Sequence, residues 1–293
     1  MLTLPRAIVV MLFVSLVSVA PPVFAEENLN LRIDLAGRQR MLTQRMARAA
    51  CFIAVEVDVQ SNKQVLLESR TLFGNSLRTL KMGGGAEGFL QETDETALSD
   101  IADIEQIWFK MQRKVTGFTK PGAVTLDELR EFSDISTELL TASNYLAITL
   151  EDKARKEGSG LSPATALMIN LAGRQRMLVQ KIGKEACLLQ MERKGVAAGA
   201  KIDTSTFNET MQVFHESAFG LAFGSRQLGL PAAPTPDIYE ENGYSWQRWS
   251  IMNALVSALE VDILSERDMR ELSWDIEAFM SDLSRTVKLY TAL

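Results

Sequence analysis

The hydrophobic positions of this chain follow the spacing of helices rather than that of strands. Within residues 33–53, small and polar residues follow one face of a helix, and another face carries Leu35, Leu42, Met46 and Ile53. The sequence lacks the alternating Val, Ile and Thr runs, bounded by tight turns, that are typical of strands. The stretches between prolines are rich in residues that favour helices, such as Leu, Ala, Glu and Lys. The pattern predicts an all-α fold.

Prolines and glycines divide the chain into separate helical segments. Proline is costly inside a helix because it lacks an amide hydrogen and clashes with the preceding turn. In the first half, Thr125 is a predicted N-cap, since Glu128 follows three residues later as in a capping box. The segment 158–163 joins the two halves of the chain. The four helices predicted for the first half lie at about residues 28–61, 63–82, 95–118 and 125–157.

The second half repeats the plan of the first. The octapeptide LAGRQRML occurs at residues 35–42 and again at 171–178, and the match extends outward on both sides. A five-residue insertion near 195–201 shifts the later landmarks, so that Trp108 corresponds to Trp249. Self-similarity of this length indicates a duplicated structural unit.

We therefore predict two tandem four-helix bundles, arranged as an intramolecular pseudo-dimer. The first repeat is predicted to span residues 26–158 and the second residues 159–293. The proline-rich loop 231–237 is expected to stand where the glycine-rich turn 83–88 stands in the first repeat.

Residues 1–25 have the features of an export signal. Arg6 precedes an apolar run over residues 7–20, and Val23 and Ala25 offer small residues before a cleavage position. The run is shorter than the roughly 20 residues that a spanning helix needs. We expect cleavage after Ala25 and a periplasmic protein; the alternative is an anchor formed by an uncleaved N-terminal helix.

The composition narrows the classes of function. The formal net charge of −6 argues against a nucleic-acid partner. The chain has one histidine and two cysteines, and no cluster of side chains has the spacing of metal ligands or of an activated nucleophile. We therefore predict no catalytic residues, no metal site, no cofactor and no enzymatic activity.

The repeated segment carries an unusual stripe of residues when it is placed on a helix. Arginine and glutamine stand where a coiled coil carries large apolar residues, and glycine and cysteine stand between them. Small residues allow two helices to approach closely. The stripe consists of Gly37, Arg40, Gln44 and Cys51 in the first repeat and of Gly173, Arg176, Gln180 and Cys187 in the second.

These stripes are predicted to face each other across a pseudo-two-fold axis. Arg40 then meets Arg176, and the two like charges repel unless an anion lies between them. Guanidinium groups bind planar oxyanions in bidentate fashion, so a small planar oxyanion is the expected ligand. Alternatively, both arginines form structural ion pairs with carboxylates of the bundles. The other basic residues of the two segments, namely Arg38, Arg45, Arg48, Arg174 and Lys181, are interpreted as facing solvent.

The remaining stripe residues have two interpretations each. Gln44 and Gln180 are candidate hydrogen-bond donors to the anion, or they bond each other. Cys51 and Cys187 occupy equivalent positions of a protein predicted to be exported, which favours a disulfide across the axis, with two buried free thiols as the alternative.

The segments IDLAGRQRMLTQRMARAA (33–50) and INLAGRQRMLVQKIGKEA (169–186) resemble the hallmark segment of the type IV pilus chemotaxis transducer N-terminal (PilJ-type) domain. That domain is related to the periplasmic sensor domain of nitrate/nitrite-responsive histidine kinases. The resemblance implies a four-helix bundle that dimerises and an anion on the dimer axis, bound by the arginine before methionine from each subunit. Carried over, these arginines are Arg40 and Arg176.

The chain departs from the pattern of the best-known sensors. These carry a shorter residue pair in place of the Arg-Gln pairs at 38–39 and 174–175, so the ligand can differ from nitrate. The first repeat has Asp34 where the second has Asn170, and a carboxylate near the pocket disfavours an anion unless it pairs with Arg38.

These observations lead to a primary functional hypothesis and an alternative. In the first, an exported sensory protein binds a small oxyanion of the nitrate or nitrite kind and signals through a separate membrane sensor kinase or chemotaxis transducer. A separate partner is expected because the chain ends at Leu293 without an output domain. In the alternative, a periplasmic interaction protein docks on a homologous sensor or transducer domain without binding a ligand.

Overall fold

The computed structural model of the protein describes residues 29–120, 124–156, 162–195 and 204–293. The predicted export signal, the linker residues 158–161 and the insertion near 196–201 lie outside these ranges. The described residues form eight α-helices and a short 3₁₀-helix at Ala258–Glu260, and they contain no strand. The helices are α1 (Leu29–Ala54), α2 (Val59–Met82), α3 (Glu95–Thr119), α4 (Leu126–Lys156), α5 (Pro163–Arg193), α6 (Thr204–Phe223), α7 (Pro236–Ser257) and α8 (Glu266–Thr291).

The first predicted helix is too long at its carboxyl end. Helix α1 stops at Ala54, and Glu56 and Asp58 adopt positive φ angles of 59° and 42° before α2 begins. This is the turn that brings α2 back against α1. Val55 and Val57 still pack against the core, so the apolar pattern continues across the turn although the helix does not.

The predicted start of the fourth helix is confirmed. The backbone N–H of Glu128 donates to Thr125 Oγ1 at 3.2 Å, and the N–H of Thr125 donates to Glu128 Oε2 at 2.9 Å. The corresponding helix of the second repeat, α8, begins with the same reciprocal cap between Ser265 and Asp268. Each pair satisfies amide groups that a helix start leaves without partners.

The helices form two bundles, α1–α4 and α5–α8, which contact each other mainly through α1 and α5. Helix α1 also packs on α2, α3 and α4, and helix α5 also packs on α6 and α8. The two repeats have matching cores. The rings of Phe73 and Trp108 lie 4.4 Å apart between centroids, and those of Phe214 and Trp249 repeat this contact at 4.4 Å. The predicted all-α fold with a duplicated bundle is confirmed.

The turn after the second helix of each repeat also has the same form. Gly84 pairs with Phe89 in an isolated β-bridge, and Ser225 pairs with Leu230 in the same way. The turn at residues 83–89 therefore corresponds to residues 224–230. The expectation that the proline-rich loop 231–237 takes this place is wrong, because that loop follows the turn and leads into α7.

Helix α1 is covered on nearly all sides from Leu35 to Ile53, because its own bundle contacts one face and α5 contacts the other. Arg45 and Arg48 are consequently buried, with exposed fractions of 7% and 0%. The prediction that these two arginines face solvent is wrong. Arg174 is exposed as predicted.

Candidate functional site

The contact between α1 and α5, here called the seam, brings the two copies of the repeated segment together. The equivalent residues Cys51 and Cys187 are bonded at one end, and the contacts of Arg40 with Asn170 and of Arg176 with Asp34 are related by exchange of the repeats. The helices therefore run parallel about a pseudo-two-fold axis.

Glycine permits this approach at Gly183 of α5. A Cβ added there would overlap the side chain of Ile276 and lie 2.8 Å from Arg48 Cδ. The small residues of the segment thus decide how closely the repeats approach.

At one end of the seam, Arg176 of the second repeat pairs with Asp34 of the first. One carboxylate oxygen of Asp34 accepts from Arg176 Nη2, and the other accepts from Arg38 Nη2 at 3.0 Å. Burial tends to raise the pKa of Asp34, but the positive charges of Arg176 and Arg38 outweigh burial and lower that pKa below its ordinary value. Asp34 therefore stands ionised between two guanidinium groups.

Arg40 makes the reciprocal contact, but with a neutral partner. It donates from Nη2 to Asn170 Oδ1 at 3.2 Å and from Nη1 to Asn144 Oδ1 at 3.1 Å. Burial lowers the pKa of Arg40 to about 10, an effect that Glu151 opposes and Arg176 reinforces. Among the described residues, no carboxylate lies within ion-pair distance of Arg40, although only 5% of its surface is exposed.

The two contacts are the pseudo-symmetric halves of one arrangement. In each, the motif arginine of one repeat reaches the residue six positions before the motif arginine of the other, which is Asp34 or Asn170. Glu151 stands behind Asn170, whose amide donates to its carboxylate at 3.3 Å, and burial raises the pKa of Glu151. In one half of the arrangement, Arg176 thus faces a charged carboxylate. In the other half, Arg40 faces a neutral amide.

The site has unused hydrogen-bonding capacity. Within the described part of the chain, Arg40 Nε, Arg176 Nε and Glu151 Oε1 are buried without a hydrogen-bond partner. Buried polar groups are ordinarily paired, so such atoms point to an additional partner or to a functional strain.

The predicted glycines border this site through the arginines. A Cβ at Gly37 would lie 3.3 Å from Arg40 Nη2, and one at Gly173 would lie 3.7 Å from Arg176 Nη2. Each glycine leaves room for the guanidinium group one turn later on its own helix. Because neither glycine has a side chain, the two guanidinium groups can lie where they do.

In the described part of the chain, Gln44 and Gln180 do not bond each other, and each has other partners. Gln44 Nε2 donates to Ser136 Oγ at 3.1 Å, and Gln180 Oε1 accepts from Arg48 Nε at 2.8 Å. They form a second polar layer, farther along the seam.

This second layer contains an ion-pair cluster that the sequence analysis missed. Arg48 Nη2 lies 2.6 Å from one carboxylate oxygen of Glu277, and Arg45 Nη2 lies 2.5 Å from the other. The arginines stand on α1 and Glu277 stands on α8, so the cluster joins the two repeats. Burial tends to raise the pKa of Glu277, but Arg48 and Arg45 outweigh this and lower it.

Beyond this layer, Cys51 and Cys187 form a disulfide with Cα atoms 6.2 Å apart. The bond joins α1 to α5 and lies at the opposite end of the seam from Asp34. The two halves are therefore linked covalently there and by hydrogen bonds and an ion pair at the arginine end.

Several partners of the site carried little or no sequence signal. The substitution of aspartate for asparagine at Asp34 was visible in the repeat, but its partner Arg176 was not. Asn144 and Glu277 stand on distant helices without any motif. Among the described residues, no group of three or more His, Cys, Asp and Glu side chains could hold a metal ion. None of the described helices has both the length and the apolar character required to cross a membrane.

The family described as type IV pili methyl-accepting chemotaxis transducer N-term matches the chain twice, over residues 24–131 and 162–277. The two matches include both arginine segments and cover more than half of the chain. No curated protein and no solved structure matches it. The chain therefore belongs to the PilJ family of chemotaxis transducer N-terminal domains, carries that domain twice, and by this membership has a role in sensory signalling.

Proposed function

We propose that this protein binds one small oxyanion of the nitrate or nitrite kind between Arg40 and Arg176 and reports its presence to a separate membrane protein. The observation that carries the proposal is the convergence of two equivalent, buried arginines from the two repeats, each directed at an oxygen atom of the other repeat. The resemblance of both segments to the nitrate- and nitrite-sensing domains supports the same ligand class.

The electrostatics of the seam favour an anion. Arg40 and Arg176 are nearly fully buried and close enough for each charge to oppose the other. An anion between them offsets this repulsion in a poorly hydrated environment, where charge-assisted hydrogen bonds are strong. Asp34 already supplies a counter-charge to Arg176. The anion that binds therefore takes the place of a carboxylate beside Arg176, instead of entering a site that has no negative charge.

The family and the N-terminal sequence support our proposals for the location and the partner. The basic residue, apolar run and small residues of 1–25 support export to the periplasm, with or without retention of this segment. Membership in a chemotaxis transducer domain family supports a membrane transducer or sensor kinase as the partner.

Titration calorimetry of the purified protein with nitrate, nitrite, sulfate and chloride tests the proposal. We expect one site per chain for nitrate or nitrite. The Arg40→Ala and Arg176→Ala variants are each expected to lose binding as fully as the double variant, because one remaining charge cannot hold the ligand. Arg174→Ala removes the same charge from an exposed position of the same segment and serves as the matched control. Two sites per chain, or near-native binding by both single variants, would refute a shared site.

The second candidate is an interaction protein that docks on a homologous sensor or transducer domain without a ligand. The pairing of Asp34 with Arg176 favours it, because the seam is already closed and nearly neutralised by the protein's own groups. In that case calorimetry detects none of the four anions. A purified homologous domain nevertheless binds the protein, and the affinity is independent of added nitrate.

A further inference from the structure

The carboxylate of Asp34 has the shape and charge of the proposed ligand. It is planar, carries one negative charge and presents two oxygen atoms, of which one accepts from Arg176 and the other from Arg38. Guanidinium groups take carboxylates and planar inorganic oxyanions in the same bidentate manner. Asp34 therefore occupies Nη2 of Arg176, a donor that a planar oxyanion would also use.

The two halves of the site differ in this respect. Asn170 takes the equivalent place opposite Arg40 and brings no charge. Asn144, the other partner of Arg40, is also an amide. Arg40 thus has only neutral hydrogen-bond partners among the described residues, whereas Arg176 is held by an internal anion.

We propose that Asp34 is a built-in competitor for the anion site, so that the ligand is a small planar monoanion that engages Arg40 and displaces the Asp34 carboxylate from Arg176. This inference rests on the function proposed above and adds to it the residue that sets the affinity. Nitrate, nitrite and formate match the displaced Asp34 carboxylate in planarity and charge, while tetrahedral sulfate does not.

Arg38 makes the exchange feasible. Its side chain is 40% exposed and its ion pair with Asp34 spans one helical turn on the surface side of α1. When the anion takes Arg176, the carboxylate keeps Arg38 as a partner and is not left buried and unpaired, which would be costly.

The exchange also changes the link between the repeats. Asp34 belongs to α1 and Arg176 to α5, so ligand entry removes a direct ion pair across the seam and replaces it with a bridge through the anion. The disulfide and the Glu277 cluster hold the remainder of the seam in place. Binding of the anion therefore changes the contact between the two bundles only at the end of the seam where Asp34 and Arg176 lie.

The test exchanges the two residues that distinguish the halves. Asp34→Asn removes the competitor and gives both motif arginines an amide partner, and Asn170→Asp places a second carboxylate opposite Arg40. With sodium nitrate and sodium formate as probes, calorimetry is expected to show binding to Asp34→Asn that is about 10- to 100-fold tighter than to the wild type. Asn170→Asp is expected to bind at least tenfold more weakly than the wild type.

The double exchange Asp34→Asn/Asn170→Asp is the matched control, because it keeps the net charge and moves the carboxylate to the other half. It is expected to restore an affinity near that of the wild type. Circular dichroism and thermal unfolding establish that each variant is folded. The affinity for sodium sulfate is expected to be the same for Asp34→Asn as for the wild type.

The outcomes separate the two proposals. If the wild type binds nitrate and Asp34→Asn binds it equally or more weakly, the competitor is refuted while the anion site stands. If only Asp34→Asn binds nitrate, the competitor stands and the native protein is not a nitrate sensor under those conditions. If neither folded protein binds any of the probes, both proposals fall.

Discussion

Arg48 of α1 crosses the seam to Glu277 of α8, and this ion pair has no counterpart in the opposite direction. In the register that aligns the helix caps at Thr125 and Ser265, the pseudo-symmetric equivalents of the two residues are Lys184 and Thr137. The repeats therefore share a backbone plan, but the charges that join them are not symmetric.

The Glu277→Gln substitution is expected to destabilise the fold by about 3 kcal/mol, because removing one partner leaves buried positive charge without compensation. Arg48 is fully buried and depends on this carboxylate together with Gln180. Urea denaturation measures the loss. Glu271→Gln is the control, since it breaks an exposed ion pair with Arg267 and should cost no more than about 1 kcal/mol. Equal effects of the two substitutions would show that the cluster adds nothing specific.

Lys184 is expected to destabilise the native state at neutral pH. Its side chain is buried, and burial lowers its pKa to about 8, an effect that Glu185 opposes and Lys181 reinforces. The Lys184→Met substitution removes this buried charge and should raise the free energy of unfolding at pH 7 by about 1–3 kcal/mol.

The lowered pKa of Lys184 also predicts that the free energy of unfolding depends on pH. Between pH 8 and the ordinary lysine pKa of 10.5, the unfolded chain binds a proton that the native state does not, so stability rises with pH across this window. Urea denaturation from pH 7 to pH 10.5 should show a steeper rise for the wild type than for Lys184→Met. Lys110→Met, at an exposed position, should leave the slope unchanged. A slope that does not differ between the wild type and Lys184→Met would contradict the assignment.

The disulfide between Cys51 and Cys187 is expected to stabilise the fold by about 3–5 kcal/mol, because it closes a long loop in the unfolded chain. Its two cysteines are 136 positions apart in sequence. Thermal unfolding with and without a reductant measures the effect. A Cys51→Ala/Cys187→Ala variant should unfold at the reduced midpoint under both conditions. Two free thiols in denatured, unreduced protein would argue against the bond.

Gly183→Ala is expected to destabilise the protein by about 1–3 kcal/mol, since the new methyl group would collide with Ile276 and with the stem of Arg48. Gly117→Ala provides the opposite case in α3, where nothing lies within 4 Å of the added Cβ. That substitution should stabilise the helix by roughly 0.5–1 kcal/mol. Chemical denaturation of both variants is the measurement, and a neutral Gly183→Ala would mean that the seam can relax.

The sequence by itself determined the all-helical fold, the duplication and the stripe of residues that lies between the repeats. Helix caps and periodicity are local properties, so Thr125 could be recognised as a start without knowledge of the fold. Cys51 and Cys187 occupy equivalent positions of two parallel copies, and symmetry alone places such residues near each other. The same reasoning brought Arg40 and Arg176 to one end of the seam.

Only the tertiary structure decided what covers each face and which partner each charge takes. Periodicity assigns a residue to a side of a helix, but it does not tell whether solvent or a second bundle lies there, and Arg45 and Arg48 proved to be buried for that reason. The partners Asn144 and Glu277 are 104 and 229 residues away from the arginines they contact, on helices whose sequences carry no motif. Such long-range pairs depend on the packing of whole helices, which no local pattern encodes.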